Sequence, residues 1–276
     1  MISLNPEPLR RFRPTVTYLL ETEAHVYALA VSASVLLSFY PFILVMVAIC
    51  RRILHWPAGE DAIYIALSDY FPGDLAALVR RNTLSSRLLP HSIIPVLLLL
   101  FTANGIFEPL EVALNRAWGV ARNRPYWKNQ LVALGMIFAC GTLAMISLAL
   151  TGVNEQWLSS WLGEHAVIQA WVKLLVFKIA ALPLSILALF LVYWLLPNRK
   201  IDPARVAPVA IAVGLFLELL KYLNLMIWPF FSDKLKNDYN IFQHSVTILI
   251  WSFVAALVVL AGAEWTARHD RADPLS

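Results

Sequence analysis

The chain has 276 residues, of which 59% are hydrophobic and only 14% are Asp, Glu, Lys or Arg. A soluble globular domain contains about 25% charged residues, and a soluble domain of this length could not bury so much apolar surface. Together with a mean hydropathy of +0.66, these values exclude a soluble globular protein and predict a polytopic helical membrane protein. The net charge of +4 is typical of loops that face anionic lipid, so it predicts no nucleic-acid partner.

The first 23 residues contain three prolines and three arginines, and they lack the compact apolar core of a signal peptide. Between Leu9 and Leu20 apolar residues recur every three or four positions. This spacing predicts a cytoplasmic amphipathic helix within residues 1–23, lying in the membrane interface. A solvated basic tail is the alternative interpretation.

Six apolar runs are long enough to cross about 30 Å of hydrocarbon as helices, at about 1.5 Å per residue. The predicted spans are residues 24–49, 92–107, 130–151, 167–196, 206–228 and 245–265. The second is short on its own, but its helical pattern continues through Trp118. Helices are the expected form because a sheet with open edges would leave unpaired backbone groups in lipid. The sequence therefore predicts an all-α integral membrane protein. Its six-transmembrane-helix bundle would occupy residues 24–266 and be followed by a cytoplasmic tail over residues 267–276.

The orientation of the bundle is predicted from the Lys and Arg residues outside the spans. The two terminal segments and the two loops on their side contain 12 of them, whereas the three loops on the opposite side contain 7. Positive charge accumulates on the cytoplasmic side of short loops, which predicts that both termini are cytoplasmic. Arg51 and Arg52, directly after the first span, oppose this assignment.

The segment between the first two spans has its own pattern. Apolar side chains form two helical stripes that are separated by Pro72 and Gly73. The pattern predicts two short amphipathic helices within residues 60–89, lying on the outer face of the membrane. Packing on the ends of the spans as a cap is the alternative.

Charged residues inside the spans are the first candidates for a functional site, because each costs several kcal/mol unless it is paired or hydrated. Glu218 and Lys221 share one face of the fifth span, and Asn224 continues that face. Lys178, in the fourth span, is predicted to lie at a similar depth. We expect Glu218 to pair with Lys178 or Lys221 inside the bundle. An ion or proton site, or a polar lining for a headgroup, is the functional interpretation. A structural bridge between helices, with the lysines extending towards the interface, is slightly favoured over it.

Hydroxyl groups form a second candidate feature in the first span. Ser34 and Ser38 are four residues apart and precede Pro41. Such groups line cavities in transporters, and they also mediate ordinary contacts between helices. The second interpretation is favoured, while the first would add Ser34 and Ser38 to a substrate site.

A third set of charged residues lies at the predicted cytoplasmic ends of the spans. Its members are Glu108, Glu111, Arg116, Arg199, Lys200 and Glu264. Oppositely charged side chains at one interface predict an ion-pair network that joins the inner ends of the helices. An inner gate built from the same pairs is the rarer alternative.

Enzymatic functions have little support in the sequence. The carboxylates are scattered and the six histidines show no metal-ligand spacing. A nucleophile elbow, a phosphate-binding loop and an RNA-binding motif are also absent from the sequence. We therefore expect no catalytic residue, cofactor, metal or nucleic-acid partner. The two cysteines, Cys50 and Cys140, lie far apart in apolar sequence, which favours two buried thiols over a disulfide.

Four short segments, taken in order, resemble one family. They are Ser34–Phe42 in the first span, Asn104–Val120 around the end of the second, Leu196–Lys200 between the fourth and fifth, and Gly262–Glu264 at the end of the sixth. Together they cover roughly residues 24–266, and the chain resembles the YihY/BrkB family of bacterial inner-membrane proteins, formerly labelled ribonuclease BN. The chain departs from the family before the sixth span, where residues 239–245 replace a Tyr-Gly-Ser-like stretch.

The resemblance implies a fold of six helices with both termini inside the cell, which agrees with the prediction from charge and hydropathy. It implies little chemistry, because members are variously described as permease-like, virulence-associated or envelope-related. The missing glycine before the sixth span argues against a shared role that depends on close backbone approach there.

The leading functional prediction is a transporter, exporter or lipid-handling permease of the bacterial inner membrane, with a polar cavity between spans one, four and five. Its partners would be membrane lipids and a small-molecule, ion or lipid substrate. A channel formed by a homo-oligomer remains an alternative. A scaffold for envelope assembly, which would dock partners near Arg80 and Arg81, is the second hypothesis. A membrane-bound ribonuclease is the least favoured.

Overall fold

A computed structural model describes residues 7–20, 22–71, 73–85, 94–120, 124–161 and 182–272. Within these ranges every regular element is helical. The α-helices are α1 Glu7–Leu20, α2 Thr22–Ala48, α3 Pro57–Tyr70, α4 Leu75–Ser85, α5 Ile94–Ala117, α6 Tyr126–Trp161, α7 Leu182–Leu195, α8 Pro203–Tyr239 and α9 Gln243–Ala272. A π-helical turn, Ile49–Ile53, follows α2, and a 3₁₀ turn, Asn240–Phe242, precedes α9. The all-α membrane class predicted from composition is confirmed.

Five helices in the described part of the chain are long and apolar enough to cross a membrane. They cover Glu23–Ile53, Val96–Ala117, Tyr126–Leu150, Pro203–Tyr239 and Gln243–Arg268. The sequence predicted a sixth span over residues 167–196. Its second half is the shorter apolar helix α7, and residues 167–181 lie outside the described residues. The count of six spans is therefore not reproduced, because one span is described only in part.

The centre of the bundle is the packing of α2 against α5 and α9. Small residues permit this approach, because Ala28 of α2 is fully buried and Gly105 of α5 lies against Ser34. A Cβ atom on Gly105 would lie 2.9 Å from the Ser34 Oγ atom. Lipid provides no hydrophobic driving force between helices, so close packing of small residues is what stabilises such a contact.

One end of the bundle contains α1, the start of α2, the end of α5 and the end of α9, and we refer to it as the terminal end. Helix α1 packs on α9 there, and the Thr15 Oγ1 atom donates a hydrogen bond of 2.6 Å to the Glu264 Oε2 atom. The segment predicted to be amphipathic is therefore helical over Glu7–Leu20 and lies against protein at its buried Thr15.

The opposite end is covered by α3 and α4, and we refer to it as the hairpin end. The apolar faces of the two helices pack against Ile43 and Val47 of α2 and against Cys50 of the π-helical turn. The carboxylate of Glu60 accepts two hydrogen bonds from Arg51, one from its Nε atom and one from its Nη2 atom. The sequence left two arrangements open for these helices, lying on the membrane surface or packing on the ends of the spans. Their apolar faces pack on the ends of the spans.

Helices α6 and α8 are longer than the sequence predicted. Helix α8 has 37 residues, which corresponds to about 55 Å at 1.5 Å per residue, and the hydrocarbon layer is only about 30 Å thick. The predicted span ends at residue 228, where the chain becomes polar, yet the residues after Pro229 continue α8 to Tyr239. Lys and Leu are good helix formers irrespective of hydropathy, so a drop in hydropathy does not mark the end of the helix.

Two glycines provide a matched test of the packing between α7, α8 and α9. A Cβ atom on Gly262 would lie 2.5 Å from Val213 Cγ2 and 2.6 Å from the Tyr193 hydroxyl oxygen, whereas one on Gly141 would meet nothing within 4 Å. Overpacking of this kind costs about 1–3 kcal/mol. We expect Gly262→Ala to lower the free energy of unfolding by that amount, measured by denaturation in mixed micelles. Gly141→Ala should leave it unchanged or raise it by up to about 1 kcal/mol, because Ala is the better helix former. Equal losses in the two variants would contradict the described packing.

Candidate functional site

An ion pair lies in the middle of α8. The Lys221 Nζ atom is 2.5 Å from the Glu218 Oε1 atom, and the two side chains are only 8% and 23% exposed. Residues three apart share a helix face, so the sequence spacing accounts for the pair. Of the two partners predicted for Glu218, Lys221 is the one observed, and Lys178 lies outside the described residues.

The end of α3 lies directly against this pair. The Lys221 Nζ atom is 5.0 Å from the centroid of the Tyr70 ring, which is a cation–π distance. Asn224 is buried, and its Nδ2 atom donates a hydrogen bond of 3.0 Å to the backbone oxygen of Tyr70. The last carbonyl groups of a helix have no partner within the helix, so Asn224 satisfies one of them and holds α3 beside α8.

The pair lines a cavity between α3, α7, α8 and α9. The cavity has a volume of about 410 Å³. Its polar lining consists of Glu218, Lys221, Asn224, Ser185 and Ser252, and apolar side chains from the four helices form the remainder. Small-molecule sites are typically concave and mostly apolar, with a few polar groups that orient the ligand. The cavity has this composition.

A second cavity, of about 340 Å³, lies between α2, α3, α6 and α7. Four residues line both cavities, namely Tyr70, Phe71, Ser185 and Ala188. Phe71 also packs edge-on against Phe39 of α2, with ring centroids 5.3 Å apart. The end of α3 and one face of α7 therefore form a wall between the two cavities.

Ser34 and Ser38 do not line the cavity around Glu218. The Ser38 Oγ atom donates to the backbone oxygen of Ser34, at 2.8 Å, and Ser34 packs on Gly105. A serine hydroxyl in a helix readily bonds the carbonyl four residues before it, and this removes it from a cavity. The cavity predicted between spans one, four and five is thus corrected: α3 and α9 border the Glu218 cavity, and α2 does not.

A buried carboxylate organises the terminal end. Glu111 is 2% exposed, and its Oε1 atom lies 3.5 Å from Nη1 of Arg124 and 3.5 Å from Nδ2 of Asn115. Arg124 also donates to the backbone oxygens of Leu195, Leu196 and Pro197, at 2.7–3.1 Å. These are carbonyls at the end of α7, which have no partner within the helix. One guanidinium group thereby joins α5 to the connection between α7 and α8.

The remaining predicted charges at this end pair locally. Arg116 lies 2.5 Å from Glu23, and both side chains are about half exposed. Glu264 accepts the hydrogen bond from Thr15, and it lies 3.7 Å from the Nε atom of Arg268. In the described part of the chain Arg116 and Glu264 thus form separate local pairs, with partners on the adjacent helix or one turn along the same helix.

Arg199, Lys200 and Glu108 complete the predicted set. The Arg199 guanidinium donates to the backbone oxygen of Trp118, at 3.3 Å, and lies 5.8 Å from the Trp118 ring centroid. Lys200 and Glu108 are exposed. Sequence reasoning assigned no role to Arg124, because it lies in a loop where no helix periodicity relates it to Glu111. Its place in a short basic loop directly before a span was the one available signal.

The Glu218 cavity and the terminal end would bind different kinds of ligand. The cavity around Glu218 presents a carboxylate and an ammonium group to an apolar space, which suits the polar end of an amphipathic molecule. The terminal end presents mainly cations. In the part of the chain that the structure describes, no three His, Cys, Asp or Glu side chains group together to bind a metal ion.

Comparison with known proteins identifies the family. The family described as Virulence factor BrkB matches residues 15–275, almost the whole chain. The chain belongs to this family. The match confirms the resemblance drawn from the sequence, and it includes all the helices around the Glu218 cavity.

Relatives of this BrkB-family chain are membrane proteins by name. A UPF0761 membrane protein of Acinetobacter baylyi is 26% identical over 248 residues, which are 86% of this chain and 57% of that protein. A UPF0761 membrane protein of Chromohalobacter salexigens is 25% identical over 256 residues, 89% of this chain and 60% of that protein. The chain thus spans less than two thirds of the length of these relatives. No solved structure matches it.

The buried pair at the terminal end predicts unequal effects of two arginine substitutions. Arg124→Gln leaves Glu111 as a buried charge without its cation, which costs about 3–5 kcal/mol. Arg116→Gln breaks an exposed pair that contributes at most about 1 kcal/mol. We therefore expect Arg124→Gln to lower the free energy of unfolding by at least about 2 kcal/mol more than Arg116→Gln does, measured by denaturation in mixed micelles.

A double variant separates the buried charge from other effects of the substitution. In Glu111→Gln/Arg124→Gln the unpaired charge is gone, so this variant should be more stable than Arg124→Gln alone. Equal stability of the single and double variants would show that the loss comes from the carbonyl contacts of Arg124 instead.

Proposed function

We propose that this chain is a membrane permease for an amphipathic molecule, and that the Glu218–Lys221 pair binds the polar end of its substrate. The supporting observation is the location of the pair, which lines a cavity of about 410 Å³. The proposal involves no catalytic step, cofactor or nucleic acid, and its partners are membrane lipids and the transported molecule.

The depth of the pair supports a functional role. Glu218 lies 15 residues after the start of α8 at Pro203, or about 22 Å along the helix. With the start of α8 at the membrane surface, this position lies inside a hydrocarbon layer about 30 Å thick. Charges at such a depth are costly and usually mark substrate or ion pathways. Lys221 does not reach out towards the interface, since its side chain is 8% exposed and points to Glu218 and Tyr70.

The lining of the cavity indicates the class of substrate. Its volume lies within the range of about 300–1,000 Å³ that is typical of ligand sites. A cationic group of a substrate would pair with Glu218, an acidic group would pair with Lys221, and the apolar part would contact the leucines of α7 and α8. A zwitterionic or singly charged amphipathic molecule fits these requirements.

The wall between the two cavities suggests how the molecule would cross. Tyr70 and Phe71 belong to the end of α3, and they line both spaces. A displacement of this end would join the cavities, and the hydrogen bond from Asn224 to Tyr70 would oppose it. We propose that the end of α3 separates two substrate positions.

The proposed setting is the bacterial inner membrane, with both termini cytoplasmic. Cations at the terminal end, such as Arg116, Arg124 and Arg199, support this orientation through the excess of positive charge on cytoplasmic loops. The scaffold hypothesis receives less support, because the apolar faces of α3 and α4 are buried against the bundle, which leaves only the exposed charged faces near Arg80 and Arg81 for docking.

Native mass spectrometry of the wild type and of Glu218→Gln, released gently from detergent, tests the proposal. We expect the wild type to retain a molecule of defined mass and the variant to lose at least about nine tenths of it. The amide cannot pair with a cationic group and leaves Lys221 without its carboxylate. A loss of affinity of about tenfold corresponds to about 1.4 kcal/mol.

Glu264→Gln is the matched control. Glu264 is also a half-buried carboxylate paired with an arginine, but it lies at the terminal end. This variant should retain the bound molecule, and circular dichroism should show that both variants are folded. If wild type and Glu218→Gln hold the same unselective lipids, the pair is a structural bridge and the permease proposal fails.

A further inference from the structure

A third cavity lies at the terminal end, where α7 is connected to α8. Its volume is about 550 Å³. The residues that matter for its chemistry are Arg124, Arg199, Lys200, Trp194, Leu195 and Pro203. It shares no residue with the Glu218 cavity, so we refer to it as the terminal pocket and treat it as a separate site.

The terminal pocket is strongly cationic. Among the described residues that line it, three side chains are positively charged and none is negatively charged. The negative charge of Glu111, inside the bundle, neutralises that of Arg124. The net positive charge of the pocket therefore comes from Arg199 and Lys200. The nearby carboxylate of Asp202 accepts a hydrogen bond of 3.0 Å from the backbone nitrogen of Ala204 and caps α8. The pocket therefore attracts an anion.

Contacts within the protein determine where the cations are placed. Arg199 lies over the Trp118 ring and donates to the backbone oxygen of that residue. Arg124 donates hydrogen bonds to the backbone oxygens of residues 195–197, just before these cations. The backbone N–H of Asn198 donates to Asn115 Oδ1 at 2.6 Å. The basic residues thus sit on a connection with several internal hydrogen bonds, and binding an anion there requires little ordering of the chain.

The other side of the pocket is apolar. Trp194 and Leu195 line it, and both are more than a third exposed. Trp194 stacks on Phe190, with centroids 5.7 Å apart. Exposed tryptophans are typical of the boundary between headgroups and acyl chains. Exposed Tyr126 and Trp127 at the start of α6 occur at the same end of the bundle.

We propose that the terminal pocket binds an anionic phospholipid. Arg199 and Lys200 contact the phosphate group, and Trp194 and Leu195 contact the glycerol and the first part of an acyl chain. A free phosphate ion would use only the cationic side, so the apolar side favours a lipid. Basic pockets between transmembrane helices bind anionic headgroups in this way. The site is independent of the substrate cavity and of the proposed transport function.

The test is a lipid titration followed by native mass spectrometry. Purified protein in a neutral detergent is titrated with phosphatidylglycerol and, separately, with phosphatidylcholine. We expect wild type to prefer phosphatidylglycerol and Arg199→Gln/Lys200→Gln to bind it about 30-fold more weakly, since each basic residue contributes about 1 kcal/mol near an anionic lipid. Phosphatidylcholine, whose choline ammonium offsets its phosphate charge, should bind the wild type more weakly and lose much less affinity in the double variant.

Lys234→Gln/Lys236→Gln is the matched control. It removes two exposed positive charges from α8 beyond the hairpin end and should bind phosphatidylglycerol like the wild type. Lys200→Glu is a second test variant, because Lys200 is exposed and its reversal should not affect folding. It should also weaken binding of phosphatidylglycerol by more than tenfold.

Three results would overturn the assignment. The first is an equal loss of phosphatidylglycerol in the test and control double variants. The second is a wild type without preference for phosphatidylglycerol over phosphatidylcholine. The third is displacement of phosphatidylglycerol from the wild type by millimolar inorganic phosphate, which would assign the pocket to the free anion.

Discussion

An ionisable side chain that is buried away from water has to be paired, and two such pairs organise this bundle, one at the terminal end and one in the middle of α8. Glu111 is paired with Arg124, which also satisfies three carbonyls at the end of α7. Glu218 is paired with Lys221, which lies over Tyr70. In each case one charge pair determines how a neighbouring segment packs, because moving that segment would leave a buried charge or carbonyl without a partner.

The α3–α4 hairpin forms one side of the cavity that the Glu218–Lys221 pair lines. Its contacts with Arg51 and with the end of α2 place α3 beside α6 and α8. The hydrogen bond from Asn224 then holds the last residues of α3 against α8. Space remains on both sides of Tyr70 and Phe71, since these large rings meet small residues such as Ser185 and Ala188. The hairpin thus shapes the proposed substrate path.

Composition and spacing predicted the helical membrane class, the family resemblance and the face shared by Glu218 and Lys221, because these depend on local sequence. The pairing of Glu111 with Arg124 escaped prediction, since it depends on how a loop returns to the bundle. Ser34 and Ser38 were candidate cavity residues by spacing alone, but a hydroxyl can bond its own helix equally well. The end of α8 was also predicted too early from hydropathy, because a helix can continue into polar sequence, as α8 does to Tyr239.

The central claim is that the Glu218–Lys221 pair serves a ligand. The most direct measurement compares the wild type with the charge-swapped variant Glu218→Lys/Lys221→Glu, by thermal unfolding and by the mass of the bound molecule. A swapped pair keeps the ionic contact but reverses the charges presented to the cavity. We predict a Tm lowered by no more than about 5 °C, because the ionic contact is kept while the cation–π contact with Tyr70 is lost, together with loss of the bound molecule. Retention of both the Tm and the bound molecule would contradict the claim and leave the pair as a structural bridge.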